Sequence, residues 1–219
     1  MRLCPEGRPF IAIPFVATIL LWIAADVLHS TGVGLLMGVA LLATAFCAWF
    51  FRDPNRTIPQ NNRLVLSPAY GKVMQIVEAV DPSTHETTWV IHIFLSVFNP
   101  HMQLAPVAGR ISKVTYTAGK FLDARDPKAS FENEQNRMEI DPAPSTGLKS
   151  RVVVTQVAGL IARRILCDVK AGQSVQPGEK IGLIRFGSQV DMILPPNIKW
   201  KVKAGDMVEG GMVLAEVTA

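Results

Sequence analysis

The segment Arg185-Phe186-Gly187-Ser188-Gln189-Val190-Asp191 carries the most chemical potential in the chain. A Gly-Ser pair alone usually marks a turn. This one lies between two apolar runs, Ile181 to Phe186 and Val190 to Leu194, so the bend is constrained and partly buried. In such a bend the Ser188 hydroxyl is able to attack the carbonyl of Gly187, the residue before it. Glycine has no side chain to block that approach and tolerates unusual backbone angles. The amide would become an ester, and loss of the Ser188 α-proton would then expel the upstream chain as a carboxylate. The dehydroalanine left behind would hydrolyse to a pyruvoyl group and ammonia. Such a group is a carbonyl electrophile made from the chain itself. It can form a Schiff base with a substrate amine and accept the electrons released when carbon dioxide leaves.

Other chemistry-bearing residues point elsewhere or nowhere. His85-Glu86-Thr87-Thr88-Trp89 has Trp89 where a HExxH zinc motif needs its second histidine. Gly32, Gly34 and Gly38 miss the GxGxxG spacing and lie in an apolar run, and no P-loop is present. Asn55-Arg56-Thr57 is a glycosylation sequon, read as chance on a cytoplasmic segment. The three cysteines, Cys4, Cys47 and Cys167, are far apart, with no CxxC pair. They form neither a disulfide framework nor a zinc site, and no metal is expected. A reducing compartment is the simpler setting. His92 lies in the run Trp89 to Phe94 and reads as a strand residue, whereas His101, after Asn99-Pro100, reads by itself as a turn residue.

The elements that must hold these residues divide the chain. Residues 10–51 are almost wholly apolar, with runs from Phe10 to Ala25 and from Val33 to Phe51. Asp26, His29, Ser30 and Thr31 separate the runs. A membrane-crossing helix needs about 20 apolar residues. A signal peptide fits less well, because the second run follows closely and no small-residue cleavage site intervenes. A helical hairpin is therefore expected over residues 1–51. Arg2 and Arg8 flank one end and Arg52, Arg56 and Arg63 the other, which places both ends on the cytoplasmic face of the cell membrane. Gly34 and Gly38 form a GxxxG pair suited to close helix packing. Trp49, Phe50 and Phe51 read as an interfacial belt.

Residues 52–219 change character and read as one mainly β domain. Short runs rich in branched residues predict strands over 73–80, 88–97, 109–117, 137–140, 152–156, 161–166 and 180–184. Residues 123–136 are polar and read as a loop. A weak internal echo links Pro106 to Ile111 with Val157 to Ile161, and Pro68 to Val73 is a looser third copy. Val169 to Gly178 and Val202 to Gly210 share a turn pattern. Repeats of this kind predict a compact β-barrel or sandwich of hairpin modules resembling biotinyl and lipoyl domains. The net charge of +4 suits an anionic lipid surface. The chain beyond residue 51 lacks the Arg/Lys and aromatic clusters of a nucleic-acid reader, so no nucleic-acid partner is expected.

Read in order, the segments Phe51-Arg52-Asp53-Pro54, Leu66 to Val73, Phe94 to His101, Ala105 to Gly109, Gly119-Lys120-Phe121, Glu132 to Asn136, Val157 to Ile165 and Arg185 to Ser188 resemble one family. It is the phosphatidylserine decarboxylase proenzymes of the short bacterial, archaeal-like type. The resemblance implies self-cleavage between Gly187 and Ser188, giving a β chain of residues 1–187 and an α chain of 188–219. The α chain would carry a pyruvoyl group at Ser188 as covalent cofactor. Phosphatidylserine would be the substrate and phosphatidylethanolamine the product, on a membrane, and a homo-oligomer is compatible with this. His101 falls at the family's catalytic histidine.

One position departs from the pattern. The family carries an aspartate in the Ser-Pro-Ala segment to orient the histidine, and Tyr70 stands there in this chain. A neutral phenol hydrogen-bonds but cannot stabilise imidazolium as a carboxylate does. A non-cleaving, membrane-tethered homologue is therefore the alternative. A biotinyl/lipoyl-like carrier is the more remote one, because no lysine sits at a suitable hairpin tip.

Overall fold

Continuous apolar runs become helices near the N-terminus, and alternating runs become strands beyond. The computed structural model describes residues 2–80, 85–161 and 164–218. The chain separates into two compact units, Met1–Asn55 and Arg56–Ala219.

In the first unit, β1 (Arg2–Leu3) leads to α1 (Arg8–Leu28) and α2 (Thr31–Phe50), and β2 (Arg52–Asp53) returns to pair with β1. With 21 and 20 residues, each helix spans about 30 Å at 1.5 Å per residue, enough to cross a bilayer core by length and composition. His29 turns the chain in a left-handed conformation with φ 45°. Pro14 lies inside α1, where Thr18 donates its hydroxyl hydrogen to the Pro14 carbonyl at 2.8 Å.

Two expectations for this unit are corrected. A Cβ added at Gly34 or Gly38 would meet nothing within 4 Å, so the GxxxG pair is not a seam of close approach. Of the three aromatic residues expected as a belt, Trp49 is exposed, with the Arg52 guanidinium 4.0 Å from its ring centre. Phe50 and Phe51 are buried. Phe51 stacks on Phe10 at 5.5 Å and lies against Gly7, where any side chain would collide with its ring. The end of α2 is thus a small aromatic core.

The second unit contains β3 (Leu64–Leu66), β4 (Gly71–Val80), β5 (Thr87–Leu95), β6 (Met102–Leu104), β7 (Gly109–Thr117) and β8 (Gln135–Pro142). After these come β9 (Val152–Ala158), β10 (Ile165–Cys167), β11 (Ser174–Val175), β12 (Lys180–Ile184) and β13 (Ser188–Leu194). The last three are β14 (Ile198–Trp200), β15 (Met207–Val208) and β16 (Val213–Val217), and one short helix, α3 (Ala129–Glu132), precedes β8. Eight strands form a curled half-barrel in the order β11-β7-β8-β9-β13-β5-β4-β15. Two three-stranded sheets, β10-β12-β6 and β14-β16-β3, complete the unit. The protein is therefore mainly β, with an apolar helix pair at its N-terminus. The core takes alternate residues of the central strands: Ile91, Ile93 and Leu95 from β5, Val152 and Val154 from β9, and Val190, Met192 and Leu194 from β13.

The internal echo has a structural basis. Gly71-Lys72 pairs with β15 at one edge of the large sheet, and Gly109-Arg110 pairs with β11 at the other. Val73 donates to the Asp206 carbonyl at 2.9 Å, and Ile111 to that of Gln173 at 2.8 Å. Left-handed glycines, Gly205 at φ 96° and Gly172 at φ 89°, return the bonds to Val73 and Ile111. The two halves also exchange bonds, Leu66 N to Pro106 O and Leu104 N to Pro68 O, each 2.9 Å. The expected principal match, Val157 to Ile161, is corrected: those residues form the end of β9 and an exposed bend, and the looser copy at Pro68 to Val73 is the one that matches Pro106 to Ile111.

Strand limits shift by two residues in β4, β8 and β9, and other limits also depart from expectation. The strand expected over 161–166 is β10 at Ile165–Cys167, with Ile161 in a bend, while Ala162 and Arg163 lie outside the described residues. Residues 123–136, expected as a loop, include α3 and the start of β8. β5 ends at Leu95, where the Ser96–Asn99 turn begins.

Candidate functional site

Ser188 opens β13 in the middle of the large sheet, paired with Leu95 of β5 and Ala158 of β9. The period-2 alternation of a strand turns it inward with Val190, Met192 and Leu194. It is fully buried, and among the described residues its hydroxyl has no hydrogen-bond partner. An orphaned buried hydroxyl costs about 1–3 kcal/mol. It is retained where the local chain is also strained. Phe186 has φ 60° and Gly187 φ 74°, two consecutive left-handed residues immediately before the serine. Glycine adopts this region freely, but a phenylalanine there costs about 1–3 kcal/mol. Such strain concentrates at reactive sites.

His101 reaches this bend from a distant part of the chain. It is 1% exposed, and its Nδ1 lies 2.7 Å from the Asn99 carbonyl oxygen. A carbonyl only accepts, so the ring proton is assigned to Nδ1, which leaves Nε2 as an acceptor. Nε2 accepts from the Gly187 N–H at 3.0 Å. The basic nitrogen is therefore held against the peptide that precedes Ser188. The Asn99 turn is itself braced, because its Oδ1 accepts from both the Ser96 backbone N–H and hydroxyl, at 3.0 and 2.9 Å.

A buried amide chain supports the histidine from behind. Gln103 Nε2 donates to the His101 carbonyl, and Gln156 Nε2 donates to Gln103 Oε1, both at 2.8 Å. Asn136 Nδ2 donates to Gln156 Oε1 at 2.9 Å. These amides sit on different strands, and their spacing carries no local signature. Gly182 admits the Gln156 amide, which would lie 2.6 Å from any Cβ there.

Gly159 closes the opposite side of the bend. A Cβ on it would stand 2.5 Å from the Gly187 carbonyl oxygen and 3.1 Å from the Gly187 carbonyl carbon. Backbone thus packs directly on the peptide group that the serine faces. Tyr70 is 5% exposed and takes up a different contact: its hydroxyl accepts from Arg56 Nε at 3.0 Å, and Arg56 Nη2 lies 3.0 Å from Met102 Sδ. By sequence Arg56 reads as a cation flanking the apolar segment, and nothing in its spacing links it to Tyr70.

His92 lies on the other face of the sheet. Its Nδ1 is 2.7 Å from Asp191 Oδ1, and Gln189 Nε2 donates to Asp191 Oδ1 at 2.6 Å and to Ser130 Oγ at 2.7 Å. These residues line a cavity of about 1350 Å³ together with Arg125 and Arg137. Odd-numbered positions of β13 face this cavity and even-numbered ones face the core. The His92 pair is therefore separated from Ser188 by the sheet itself. Among the described residues no group of three or more His, Cys, Asp or Glu side chains is placed to hold a metal ion.

Comparison with known proteins makes the chain a decarboxylase. A family model described as Phosphatidylserine decarboxylase matches residues 43–216. A phosphatidylserine decarboxylase proenzyme of Geotalea uraniireducens is 44% identical over 207 residues, covering 94% of this chain and 92% of that one. The proenzyme of Ruegeria pomeroyi is 40% identical over 218 residues, covering 97% and 94%. That of Saccharopolyspora erythraea is 41% identical over 221 residues, covering 97% and 87%. The chain belongs to the phosphatidylserine decarboxylase family.

Proposed function

We propose that the chain is a proenzyme that cuts itself between Gly187 and Ser188 and then converts phosphatidylserine to phosphatidylethanolamine at a pyruvoyl group formed from Ser188. The observation that carries this reading is the buried Ser188 hydroxyl, without a partner among the described residues, after two left-handed residues and beside the His101 imidazole. The residues fit such a group, since the site already offers an orphaned polar atom at the position it would occupy.

Self-cleavage follows from these residues. The Ser188 oxygen attacks the Gly187 carbonyl carbon while His101 Nε2 takes the hydroxyl proton. The imidazole first releases the Gly187 N–H. The C–N bond then breaks, the proton passes to the Ser188 nitrogen, and an ester joins the two chains. Removal of the Ser188 α-proton breaks the ester C–O bond, with Gly187 leaving as a carboxylate. Tautomerisation of the dehydroalanine and hydrolysis by water release ammonia. The left-handed turn favours the first step, because relief of its strain accompanies the break. Once formed at residue 188, a pyruvoyl carbonyl would supply an electrophile for the substrate amine and an acceptor for the electron pair left when carbon dioxide departs. His101, whose Nδ1 proton is held by the Asn99 carbonyl so that Nε2 is the basic nitrogen, is placed to move a proton at the same position.

Tyr70 does not count against cleavage. The orienting acceptor that a carboxylate would supply to His101 is supplied by the Asn99 backbone. Under this reading residues 1–51 anchor the protein in the membrane, and residues 52–219 form the catalytic domain on the cytoplasmic side. The β and α chains stay associated through the pairing of β13 with β5 and β9.

Intact mass measurement of the denatured protein tests this. The expected result is an α fragment that starts at residue 188 and carries a pyruvoyl N-terminus. Ser188→Ala should remain one uncleaved chain with thermal stability equal to or above that of the uncleaved wild type, because an unpartnered hydroxyl is removed. An uncut wild-type chain would overturn the proposal.

A further inference from the structure

The Ser188 end of the large sheet carries a rim of exposed apolar side chains. Phe98 is 67% exposed, Leu160 64%, Ile161 61% and Phe121 37%. They come from separate loops that meet around one peptide. Phe98 sits in the Ser96–Asn99 turn, whose Val97 Cγ1 would lie 3.6 Å from a Cβ on Gly187. Leu160 and Ile161 follow Gly159, which packs on the Gly187 carbonyl. Phe121 precedes Leu122, which is tied through Asn133 to the Ala158 carbonyl by bonds of 2.8 and 2.7 Å. Arg185 N donates to the Arg164 carbonyl at 3.2 Å, which joins the loop after β9 to the bend before Ser188.

In the Phe121 loop of this rim opposite charges pair, Lys120 with Glu132 at 2.8 Å and Arg125 with Asp123 at 2.6 Å, and the remaining segments are one-sided. Segments 96–101 and 185–187, with residues 159–161 and 164, contain no Asp or Glu, and their charged residues other than His101 are Arg164 and Arg185. Single exposed apolar residues need no explanation, but a cluster that rims a reactive site marks a contact surface. Apolar tips with a cationic surround suit the boundary between acyl chains and anionic headgroups.

We infer that this rim docks on an anionic bilayer surface, with Phe98, Leu160 and Ile161 entering the headgroup boundary and the exposed Arg164 facing lipid phosphates. The inference rests on reading the site as a phospholipid decarboxylase. It adds a second membrane contact, carried by the β domain, that brings the lipid headgroup to residue 188 without the lipid leaving the bilayer.

Spin-label accessibility on the full chain tests it. Cys4, Cys47 and Cys167 are replaced, and single cysteines are placed as Phe98→Cys, Leu160→Cys or Val80→Cys. Val80 is 62% exposed and lies at the opposite end of the sheet, beside Thr87. Each variant is reconstituted into vesicles of phosphatidylglycerol and phosphatidylcholine. Labels at 98 and 160 should be at least threefold less accessible to a nickel chelate than the label at 80, and more accessible to oxygen. Shielding should weaken on phosphatidylcholine alone, and undiminished shielding there would overturn the role of Arg164. Equal nickel accessibility at 80, 98 and 160 would overturn the docking. Shielding in detergent that grows with protein concentration would also overturn it, assigning the rim to a second copy. Repeating the measurement in a Ser188→Ala background separates the two ideas. A wild-type chain that never cleaves refutes the decarboxylase reading, whereas loss of shielding in both backgrounds refutes the rim.

Discussion

Replacing Gly159 with alanine puts a methyl group where the Gly187 carbonyl lies. The new Cβ would stand 2.5 Å from the carbonyl oxygen, 3.1 Å from its carbon and 3.3 Å from Ala124 Cβ. Ordinary contact requires roughly 0.9 Å more separation from the oxygen. β9 is held by ladders on both sides, so the Gly187 peptide is the part that must yield. A displacement near 1 Å at a reacting centre costs on the order of 100-fold in rate. Gly159→Ala should therefore slow self-cleavage about 100-fold, a rise of about 2.7 kcal/mol in the barrier. Overpacking should also cost about 1–3 kcal/mol of stability. Gly109→Ala is the matched control. Its Cβ would lie 2.5 Å from the Asp141 carbonyl oxygen, equally crowded but at the far end of the sheet. It should lose comparable stability and cleave at the wild-type rate. The assay is a time course of freshly synthesised protein on denaturing gels, with melting temperatures measured on Ser188→Ala backgrounds. Cleavage of Gly159→Ala within threefold of wild type would refute the reasoning, and so would equal slowing in both variants.

Tyr70→Phe removes the hydroxyl that accepts from Arg56 but leaves the bond between His101 and the Asn99 carbonyl intact, so cleavage should stay within about threefold of wild type. A drop of tenfold or more in the same gel assay would show that the phenol itself acts on the histidine. The loop from 119 to 133 should respond to acid. Hydrogen bonding from Arg125 holds the Asp123 carboxyl below its ordinary value of 3.8, and hydrogen bonding from Lys120 holds Glu132 below 4.5. Because both values are depressed in the folded state, their bracing is complete above the ordinary carboxylate range and is lost as pH falls through the folded values. Amide NMR shifts of Leu122 and Arg125 should be flat near neutral pH and move only below those ordinary values. Midpoints at or above them would contradict the assignment, and added salt should weaken the effect at these exposed pairs.

Much of the architecture was legible because it depends on local pattern. The helix pair followed from two apolar runs, and most strands from branched residues between turn signals. The edge repeats were visible because Gly71 and Gly109 each accompany the same backbone exchange. Misreadings came where the environment overrode the pattern. Gly34 and Gly38 had the spacing of a packing motif, but spacing does not say which way a helix faces. Phe50 and Phe51 looked interfacial until Phe10 and Gly7, some forty residues upstream, came to lie against them.

The sequence by itself determined that Ser188 follows a glycine between two apolar runs, that a histidine follows Asn99-Pro100, and that these segments occur in the order of one family. These are properties of neighbouring residues and survive in a linear reading. Only the tertiary structure decided that His101 Nε2 lies on the Gly187 N–H, and that His92 falls on the far face despite a place in the adjoining strand. It also decided that a backbone carbonyl, that of Asn99, holds Nδ1 of the His101 imidazole. Strand register sets the first two, because a shift of one residue exchanges the faces of a sheet. The third was hidden for a simpler reason: every residue has a carbonyl, so its use as a partner leaves no mark on the choice of amino acid.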